Sequence, residues 1–505
     1  MNVLLVNPNS GVQTVPPTAP LGLLSIATYL KERGFYVRLY DRNAEKISLG
    51  KVLETFRPDA AGISVMSMTH IHDGADVSGK LRALGIPVVW GGAMATMAAE
   101  LILRERAADY VVAGEGEITF HKLLRAIEEK QELGRVKGIA YLDGSETVCY
   151  TPDRDFADLA DFPVIDWSFI NPEKHLISHM SSKRMMYLYC SKGCTGRCSF
   201  CINKGFHRCT YRRRPNEYVV REIEELAGKH GMDGVYFADE LFGVHKGDLY
   251  DLCDRLRVLN LGITWCCQTR IGHLKREDLQ VMYDAGLRWI YYGVESGSPE
   301  TLNRIHKNID LTGLDRELRD CKEIGIFALC GFIVGFPDET EAQLRDTVRM
   351  MLRINAGQAK AQMFFPVPGS ELYKDLVDSG RLIPLRTLKA WERSGSMAVF
   401  GQAANYSNVP ARELSVIQAF FHWRAFFGRS AERNAPPFKV MLAAVKSTLI
   451  SAWKNGFWHM CMEAFTSLKI FMTVVWYTFA YPGIRKKYGL TARKWNAPRR
   501  STCAR

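Results

Sequence analysis

The chain has 505 residues, of which 47% are hydrophobic and 24% charged; this composition is typical of a globular protein and excludes a disordered or fibrous one. Its length predicts two or three domains. The formal net charge of +12 is modest for this length, and we expect no nucleic acid among the partners.

The N-terminal sequence MNVLLVNPNS has no basic segment followed by an apolar core, so it predicts a buried strand rather than a secretion signal. No charge-free apolar run approaches the roughly 18 residues of a membrane-spanning helix. We therefore expect a cytoplasmic protein. In that reducing compartment, its 13 cysteines favour metal or redox chemistry over disulfides.

Residues 1–145 alternate short apolar runs with helical patterns. The predicted strands are NVLLVNP, YVRLYD, AAGISVM, PVVWGG and DYVVAGEGE, and helical patterns such as GLLSIATYLKERG, MAAELILRERA and HKLLRAIEEK separate them. This order predicts an α/β fold with a doubly wound, Rossmann-like parallel sheet that binds ligands at the carboxyl ends of its strands. The polar, Asp-rich residues 146–182 predict a linker.

A second alternating series occupies residues 183–400. Its predicted strands are MMYLYC, GVYFAD, TWCCQT, WIYYGVES, FALCGFIVG and AKAQMFF. Six β/α units predict a partial (β/α)6 barrel whose functional residues lie on the loops after the strands. Residues 401–505 lose the strand pattern and predict a helical C-terminal domain.

The loop after the first predicted barrel strand carries four cysteines in the sequence CSKGCTGRCSFC, residues 190–201. Three thiolates on one short loop can hold three irons of a [4Fe–4S] cluster and leave the fourth iron open. Cys194, Cys198 and Cys201 have the spacing C-x3-C-x2-C, which resembles the signature of the radical S-adenosylmethionine (SAM) superfamily. Zinc, disulfides, and Cys190 as a fourth ligand are weaker alternatives.

The resemblance to this superfamily extends to the loops after the later strands. It implies that the open iron binds the amine and carboxylate of SAM, and that Phe200 shields the cluster. Where relatives carry a GGE-like segment for the SAM amino group, this chain has YFADELFG. The implied SAM-binding residues are Phe200 on the cysteine loop and Asp239, Glu240, Arg270, Glu295 and Gly335 on the later loops.

The N-terminal sequence resembles the cobalamin-binding domain that precedes many radical SAM barrels. A related cobalamin fold uses D-x-H-x-x-G, whose His coordinates cobalt; the corresponding DRNAEK keeps Asp41 but has Asn43 and Lys46 instead of the His and Gly, which implies no His ligand. Small residues after the strands let a bulky nucleotide tail approach the backbone. A domain that lost its ligand or holds another is the alternative. The implied cobalamin contacts are Asp41, Asn43, Ser64, Ser67, Gly91, Gly92 and Gly114.

The two resemblances together imply a cobalamin-dependent radical SAM enzyme. Most such enzymes transfer methyl from methylcobalamin to an unactivated carbon after a 5′-deoxyadenosyl radical abstracts hydrogen. Cyclisation, rearrangement or oxygenation without methyl transfer is the alternative, and a non-catalytic iron–sulfur or cobalamin carrier is one of another class. A flavodoxin or ferredoxin would supply electrons.

The C-terminal region should carry the substrate information. The aromatic stretch NGFWHMCMEAFTSLKIFMTVVWYTFAY predicts core packing, a lid, or a surface helix in contact with a membrane that serves a lipid or fused-ring substrate. The basic residues from Arg485 to Arg505 suit an anionic partner or membrane surface, or form a solvated face. The small-molecule substrate itself is not encoded in a recognisable motif.

Overall fold

A computed structural model describes residues 1–11, 16–179, 181–354, 358–399, 404–432, 476–477 and 480–490. The fold is two compact α/β units. The sequence limits of the first are Met1–Cys267, Asp284–Leu287 and Pro366–Gln402, and those of the second are Gln268–Tyr283, Arg288–Phe365 and Ala403–Arg505. None of the described helices is long and apolar enough to cross a membrane.

The first unit begins with a seven-stranded sheet in the order β2-β1-β3-β4-β5-β6-β7. The five predicted strands form β1 to β5, which pair in parallel. Continuous apolar runs suit strands that are covered on both faces, as parallel strands usually are. The strands are β1 Asn2–Asn7, β2 Tyr36–Asp41, β3 Ala60–Ser64, β4 Val88–Gly91, β5 Tyr110–Val112, β6 Ile139–Leu142 and β7 Val148–Tyr150.

Six α-helices accompany this sheet. Ser48 caps the second helix by accepting a hydrogen bond from the Lys51 amide. Gly62 in β3 lets Phe120 of the sixth helix pack closely, since a Cβ at residue 62 would lie 2.9 Å from the Phe120 ring. The predicted helix MAAELILRERA is not one continuous helix: its first residue ends one short helix, and the next short helix lies within the rest of the segment. The helices are α1 Leu21–Lys31, α2 Leu49–Thr55, α3 Ile71–Ala83, α4 Ala93–Met97, α5 Ala99–Arg104 and α6 Gly116–Glu128.

Strands β6 and β7 were not predicted. They form an antiparallel hairpin that crosses residue 145, so the sheet continues into the predicted linker. The rest of that segment is also packed, because Phe162 stacks edge-on against Tyr29 of α1 and Trp167 is fully buried. The domain limits at residues 145, 182 and 400 stay predictions.

The first unit continues with the beginning of the barrel-type sheet. Strands β9, β12 and β13 are parallel, and β8 pairs antiparallel with β9. Strands β10 and β11 form a separate two-stranded ribbon. The elements are β8 Ile177–His179, β9 Ser182–Leu188, β10 Ser191–Gly193, α7 Asn203–Phe206, β11 Tyr211–Arg213, α8 Asn216–His230, β12 Gly234–Phe237, α9 Lys246–Leu259 and β13 Thr264–Thr269.

The second unit contains three more parallel strands in the order β14-β15-β16. All six strands predicted for the barrel are therefore present. The elements of this unit are α10 Arg276–Asp284, β14 Leu287–Glu295, α11 Pro299–Arg304, α12 Leu314–Ile324, β15 Phe327–Val334, α13 Glu341–Arg353, β16 Ala359–Met363, α16 Ala411–Glu432 and α17 Pro482–Lys487. Helices α14 Glu371–Asp378 and α15 Leu388–Val399 belong to the first unit. Most of the aromatic stretch and the basic residues from Arg493 onward lie outside the described residues.

Candidate functional site

Cys190 lies two residues beyond β9 and differs from the three cysteines that follow it. Its side chain is fully buried, and burial raises the pKa of its thiol well above the usual value. Its amide donates to both carboxylate oxygens of Asp239, at 3.1 and 3.2 Å. A buried thiol of this kind is typical of a packing residue, and the exclusion of Cys190 from the ligand set stays a prediction.

Cys194, Cys198 and Cys201 lie on the connection between β10 and β11, and all three are half-buried. Backbone amides donate to two of their sulfurs: Gly196 to Cys194 at 3.3 Å and Asn203 to Cys201 at 3.5 Å. None of the eleven described cysteines is in a disulfide.

Asn203, which the sequence reasoning missed, closes this loop. Its side-chain amide donates to the Cys194 carbonyl at 2.6 Å and to the Gly196 carbonyl at 3.2 Å, and its oxygen accepts from the Cys194 amide at 3.2 Å. No group of three His, Cys, Asp or Glu side chains in the described part of the chain is arranged for a single metal ion. A cluster that takes one thiolate on each of three irons fits this loop better.

Asp239 and Glu240 follow β12 and both hold the base of the cysteine loop. Asp239 is fully buried, and its carboxylate accepts from the Cys190 amide and the Ser191 hydroxyl. Burial raises its pKa to about 6, although the hydrogen bond from Ser191 opposes the shift. The carboxylate of Asp239 is thus committed to protein donors, and its predicted contact with SAM stays untested.

Glu240 is more accessible than Asp239. One carboxylate oxygen accepts from the Gly193 amide at 3.0 Å, and the other lies 3.3 Å from Nε2 of His207. With a side chain 44% exposed, Glu240 has room for a further contact. Phe200, which lies between Cys198 and Cys201 in the sequence, is half-buried, and its shielding role stays a prediction.

In the second unit, Arg270 follows β13 and Glu295 is the last residue of β14. Both residues contact Lys307. The Arg270 guanidinium donates to the Lys307 carbonyl, and the Lys307 ammonium lies 2.8 Å from a Glu295 carboxylate oxygen. The sequence reasoning missed Lys307, which no motif marks. Because Lys307 already neutralises Glu295, the predicted ribose contact of that residue would be made by a paired carboxylate.

Gly335 follows β15 in the left-handed region, with φ +83°, and a Cβ there would lie 2.7 Å from Leu414. Its amide donates to Oε2 of Glu339 at 2.7 Å. Glu339 is fully buried, which raises its pKa to about 7, and its Oε1 has no hydrogen-bond partner among the described residues. Glu339 was also missed, although it lies in the segment GFPDET that marked Gly335.

Four of the seven predicted cobalamin contacts line one cavity of about 290 Å³ in the first unit. They are Ser64, Gly91, Gly92 and Gly114, at the carboxyl ends of β3, β4 and β5. At Gly114, with φ +76°, a Cβ would meet nothing within 4 Å. The walls beside these residues are apolar, and include Leu5 and Phe120. Small residues at these strand ends let a bulky ligand approach the backbone closely.

The other three predicted contacts do not line this cavity. Asp41 is buried and accepts from the Asn7 side chain and the Asn43 amide, each at 2.9 Å. Asn43 donates to the Pro8 carbonyl at 2.9 Å, and Ser67 lies 3.1 Å from Nδ1 of His70. These polar groups organise the loops beside the sheet. Their assignment as cobalamin contacts gains no support from the geometry.

Titratable side chains that the sequence reasoning missed also line the same cavity. Lys192, Glu117 and His207 all line it, together with Glu240. Burial alone would raise the pKa of the Glu117 carboxyl, but Lys192 and Ser25 hold it below its usual value. The cavity is therefore lined both by small residues of the first sheet and by residues next to the cysteine loop.

Two family models match the chain: the radical SAM superfamily over residues 188–351 and the B12 binding domain over residues 12–124. An uncharacterized methyltransferase of Pyrococcus horikoshii is 27% identical over 399 residues, covering 77% of this chain and 86% of its own. An anaerobic magnesium-protoporphyrin IX monomethyl ester cyclase of Rubrivivax gelatinosus is 26% identical over 475 residues, covering 91% and 84%.

Solved structures show the same fold. The cobalamin-dependent SAM radical enzyme OxsB with aqua-cobalamin bound has a TM-score of 0.68 at 19% identity, and the alignment covers 98% of this chain and 80% of OxsB. The methyltransferase TsrM from Kitasatospora setae, with cobalamin and a [4Fe–4S] cluster bound, has a TM-score of 0.64 at 19% identity and covers 78% and 81%. The chain thus belongs to the radical SAM superfamily as a member with a B12-binding domain, an enzyme whose cofactors are a [4Fe–4S] cluster, SAM and cobalamin.

Proposed function

We propose that this enzyme transfers a methyl group from cobalamin to an unactivated carbon of a small-molecule substrate. One observation carries the proposal: the cavity of the first unit is lined both by the small residues after β3, β4 and β5 and by Lys192 and Glu240 beside the cysteine loop. A ligand in this cavity would therefore lie next to the cluster site. Methyl transfer to a substrate radical requires such proximity.

In this proposal, separate groups of residues bind the cluster and cobalamin. Cys194, Cys198 and Cys201 would hold the cluster, and Ser64, Gly91, Gly92 and Gly114 would hold cobalamin. When bound, these cofactors supply the electron that cleaves SAM and the methyl group that is transferred. The chain itself binds and orients them: Asp239 and Asn203 fix the cysteine loop, and the apolar cavity walls exclude water.

A second candidate function is ring formation without methyl transfer. The magnesium-protoporphyrin cyclase of Rubrivivax gelatinosus aligns with 91% of this chain, against 77% for the methyltransferase of Pyrococcus horikoshii. The longer alignment favours a fused-ring substrate and keeps cyclisation as the alternative. Both reactions would need an electron donor such as flavodoxin or ferredoxin. Membrane contact of the C-terminal region is a further part of this proposal that rests on sequence alone.

The two functions differ in the fate of the SAM methyl group. We would incubate the reduced holoenzyme with SAM carrying a deuterated methyl group and follow S-adenosylhomocysteine, 5′-deoxyadenosine and the label on protein-bound cobalamin. Methyl transfer predicts S-adenosylhomocysteine together with labelled cobalamin. Formation of 5′-deoxyadenosine with neither of them would overturn methyl transfer and favour the cyclase reading.

A further inference from the structure

The three cysteines lie on the long connection of a short β-ribbon. Strand β10 ends at Gly193, immediately before Cys194, and β11 begins at Tyr211, after Cys201. The two strands are antiparallel, and Lys192 pairs directly with Arg212. Directly opposed residues of an antiparallel pair project on the same face, so the base of the cysteine loop presents two adjacent basic side chains.

Two acidic side chains of the cobalamin-binding domain meet these two basic ones. Lys192 Nζ lies 2.6 Å from Oε1 of Glu117, and the Arg212 guanidinium binds both carboxylate oxygens of Glu115, one of them at 3.0 Å. Glu115 and Glu117 stand at the N-terminus of α6, where the helix dipole favours acidic groups. The ribbon thus holds the start of this helix by two ion pairs, which we call the ribbon clamp.

The ribbon clamp is buried and has further partners, unlike an ordinary surface ion pair. The side chains of Glu117 and Glu115 are 2% and 3% exposed, and those of Lys192 and Arg212 are 16% and 15% exposed. Ser25 donates to Glu117 at 2.7 Å, and His207 lies 3.7 Å from Glu115 and 3.3 Å from Glu240. Buried ion pairs with additional hydrogen bonds fix one side-chain geometry, whereas exposed ion pairs contribute little to stability.

The N-terminus of α6, which the ribbon clamp holds, also lines the cavity. Gly114, Glu115, Gly116 and Glu117 are consecutive, and all four line the cavity together with Lys192. A ligand in the cavity therefore touches the same segment that fixes the cysteine ribbon. Any shift of this segment on binding would be passed to the loop through two buried ion pairs.

We propose that Lys192 and Arg212 are positioning residues that link cobalamin binding to cluster binding through the ribbon clamp. Each cofactor then raises the affinity for the other by the same factor, as thermodynamic linkage requires. This inference rests on the two cofactor sites named in the proposed function and not on methyl transfer. A methyl label that never reaches cobalamin would end the proposed reaction and leave the linkage intact.

The test is a cobalamin titration of the full-length protein with the cluster reconstituted and with the cluster removed by chelation. For the wild type we expect the dissociation constant to be about tenfold lower with the cluster present, within the usual range of coupling between sites. In the double variant Lys192→Met/Glu117→Gln we expect this ratio to fall to about one. Changing both partners avoids an uncompensated buried charge.

A matched control is the pair Lys31–Asp166 of the same unit, which has the same 2.6 Å separation but a lysine that is 58% exposed. Lys31→Met/Asp166→Asn should keep the wild-type ratio, and so should the conservative variant Lys192→Arg. If Lys192→Met/Glu117→Gln does not fold, Arg212→Met/Glu115→Gln tests the other pair. A ratio of one in the wild type, or a wild-type ratio in a folded clamp variant with full iron content, would overturn the proposal.

Discussion

The cysteine loop and the loop after β15 are each hydrogen-bonded to a fully buried carboxylate, and the two carboxylates differ in their hydrogen-bond donors. Asp239 accepts from the Cys190 amide and the Ser191 hydroxyl, and its pKa is about 6. Glu339 accepts from the Gly335 amide, leaves Oε1 without a described partner and has a pKa of about 7. Burial raises the pKa of both carboxyl groups by a similar amount, and the two groups differ in the donors from which their oxygens accept.

The comparison teaches that burial alone does not set the role of a carboxylate. Burial raises the pKa of both groups, and the donors around each decide how far the charged form is recovered. The cysteine loop is tied to Asp239, whose carboxylate accepts from both the Cys190 amide and the Ser191 hydroxyl. The loop around Gly335 is tied by the hydrogen bond from the Gly335 amide to a group that can take up a proton near neutral pH.

The largest expected effect concerns the loop that Asp239 anchors. Replacement of Cys194, Cys198 and Cys201 together by Ala should reduce the iron content from about four atoms per chain to nearly none, because each thiolate holds one iron. Iron analysis and the visible absorption of the anaerobically reconstituted protein measure this. Cobalamin should still bind, since Ser64, Gly91, Gly92 and Gly114 are unchanged, but about tenfold more weakly, as the proposed linkage to the cluster requires.

Cys190→Ala is the matched control for this triple variant. It should keep the full iron content and lower the free energy of unfolding by roughly 1 kcal/mol, because it removes a packed, neutral thiol. Loss of iron in Cys190→Ala would make Cys190 a ligand and remove the contrast between the buried thiol and the three half-buried cysteines.

The next effect separates the two carboxylates. In Asp239→Asn the retained Oδ1 can still accept from the Ser191 hydroxyl and the Cys190 amide. The new NH2 group in place of Oδ2 faces the Cys190 amide, which is a donor, so one buried donor has no acceptor there, at a cost of about 1–3 kcal/mol. We expect a lower melting temperature and incomplete iron loading. Glu339→Gln should cost less than about 1 kcal/mol, because its carbonyl oxygen can still accept from Gly335. Equal losses in the two variants would show that donor number does not matter.

The fold was largely predictable from the sequence, because strands buried on both faces have continuous apolar runs and helices have their own period. The β6–β7 hairpin was missed since its strands are short and lie in a polar segment. The cysteine ligand set and the small residues lining the cavity were predicted from spacing and position after strands. Lys192, Arg212, Lys307 and Asn203 were not, because their roles depend on which distant side chains meet them, and spacing carries no such information.

The smallest effect is a pH dependence of stability due to Glu339. Its pKa is about 7 in the folded chain and 4.5 ordinarily, so between these values the folded state binds more protons than the unfolded state. The stability contribution is therefore complete below pH 4.5 and is lost as the pH rises towards 7, at up to about 1.4 kcal/mol per pH unit. Above pH 7 no further loss is expected from this group.

Glu339→Gln removes the titration and should flatten this part of the stability profile. Urea unfolding at several pH values from 4.5 to 8 would show wild type and variant closest in stability at the acid end, with the variant gaining as the pH rises. Glu277→Gln changes an exposed glutamate of α10 in the same unit and should leave the slope as it is. A wild-type slope in Glu339→Gln would mean that Glu339 is ionised throughout, and the difference between the two buried carboxylates would then lie only in their hydrogen bonds.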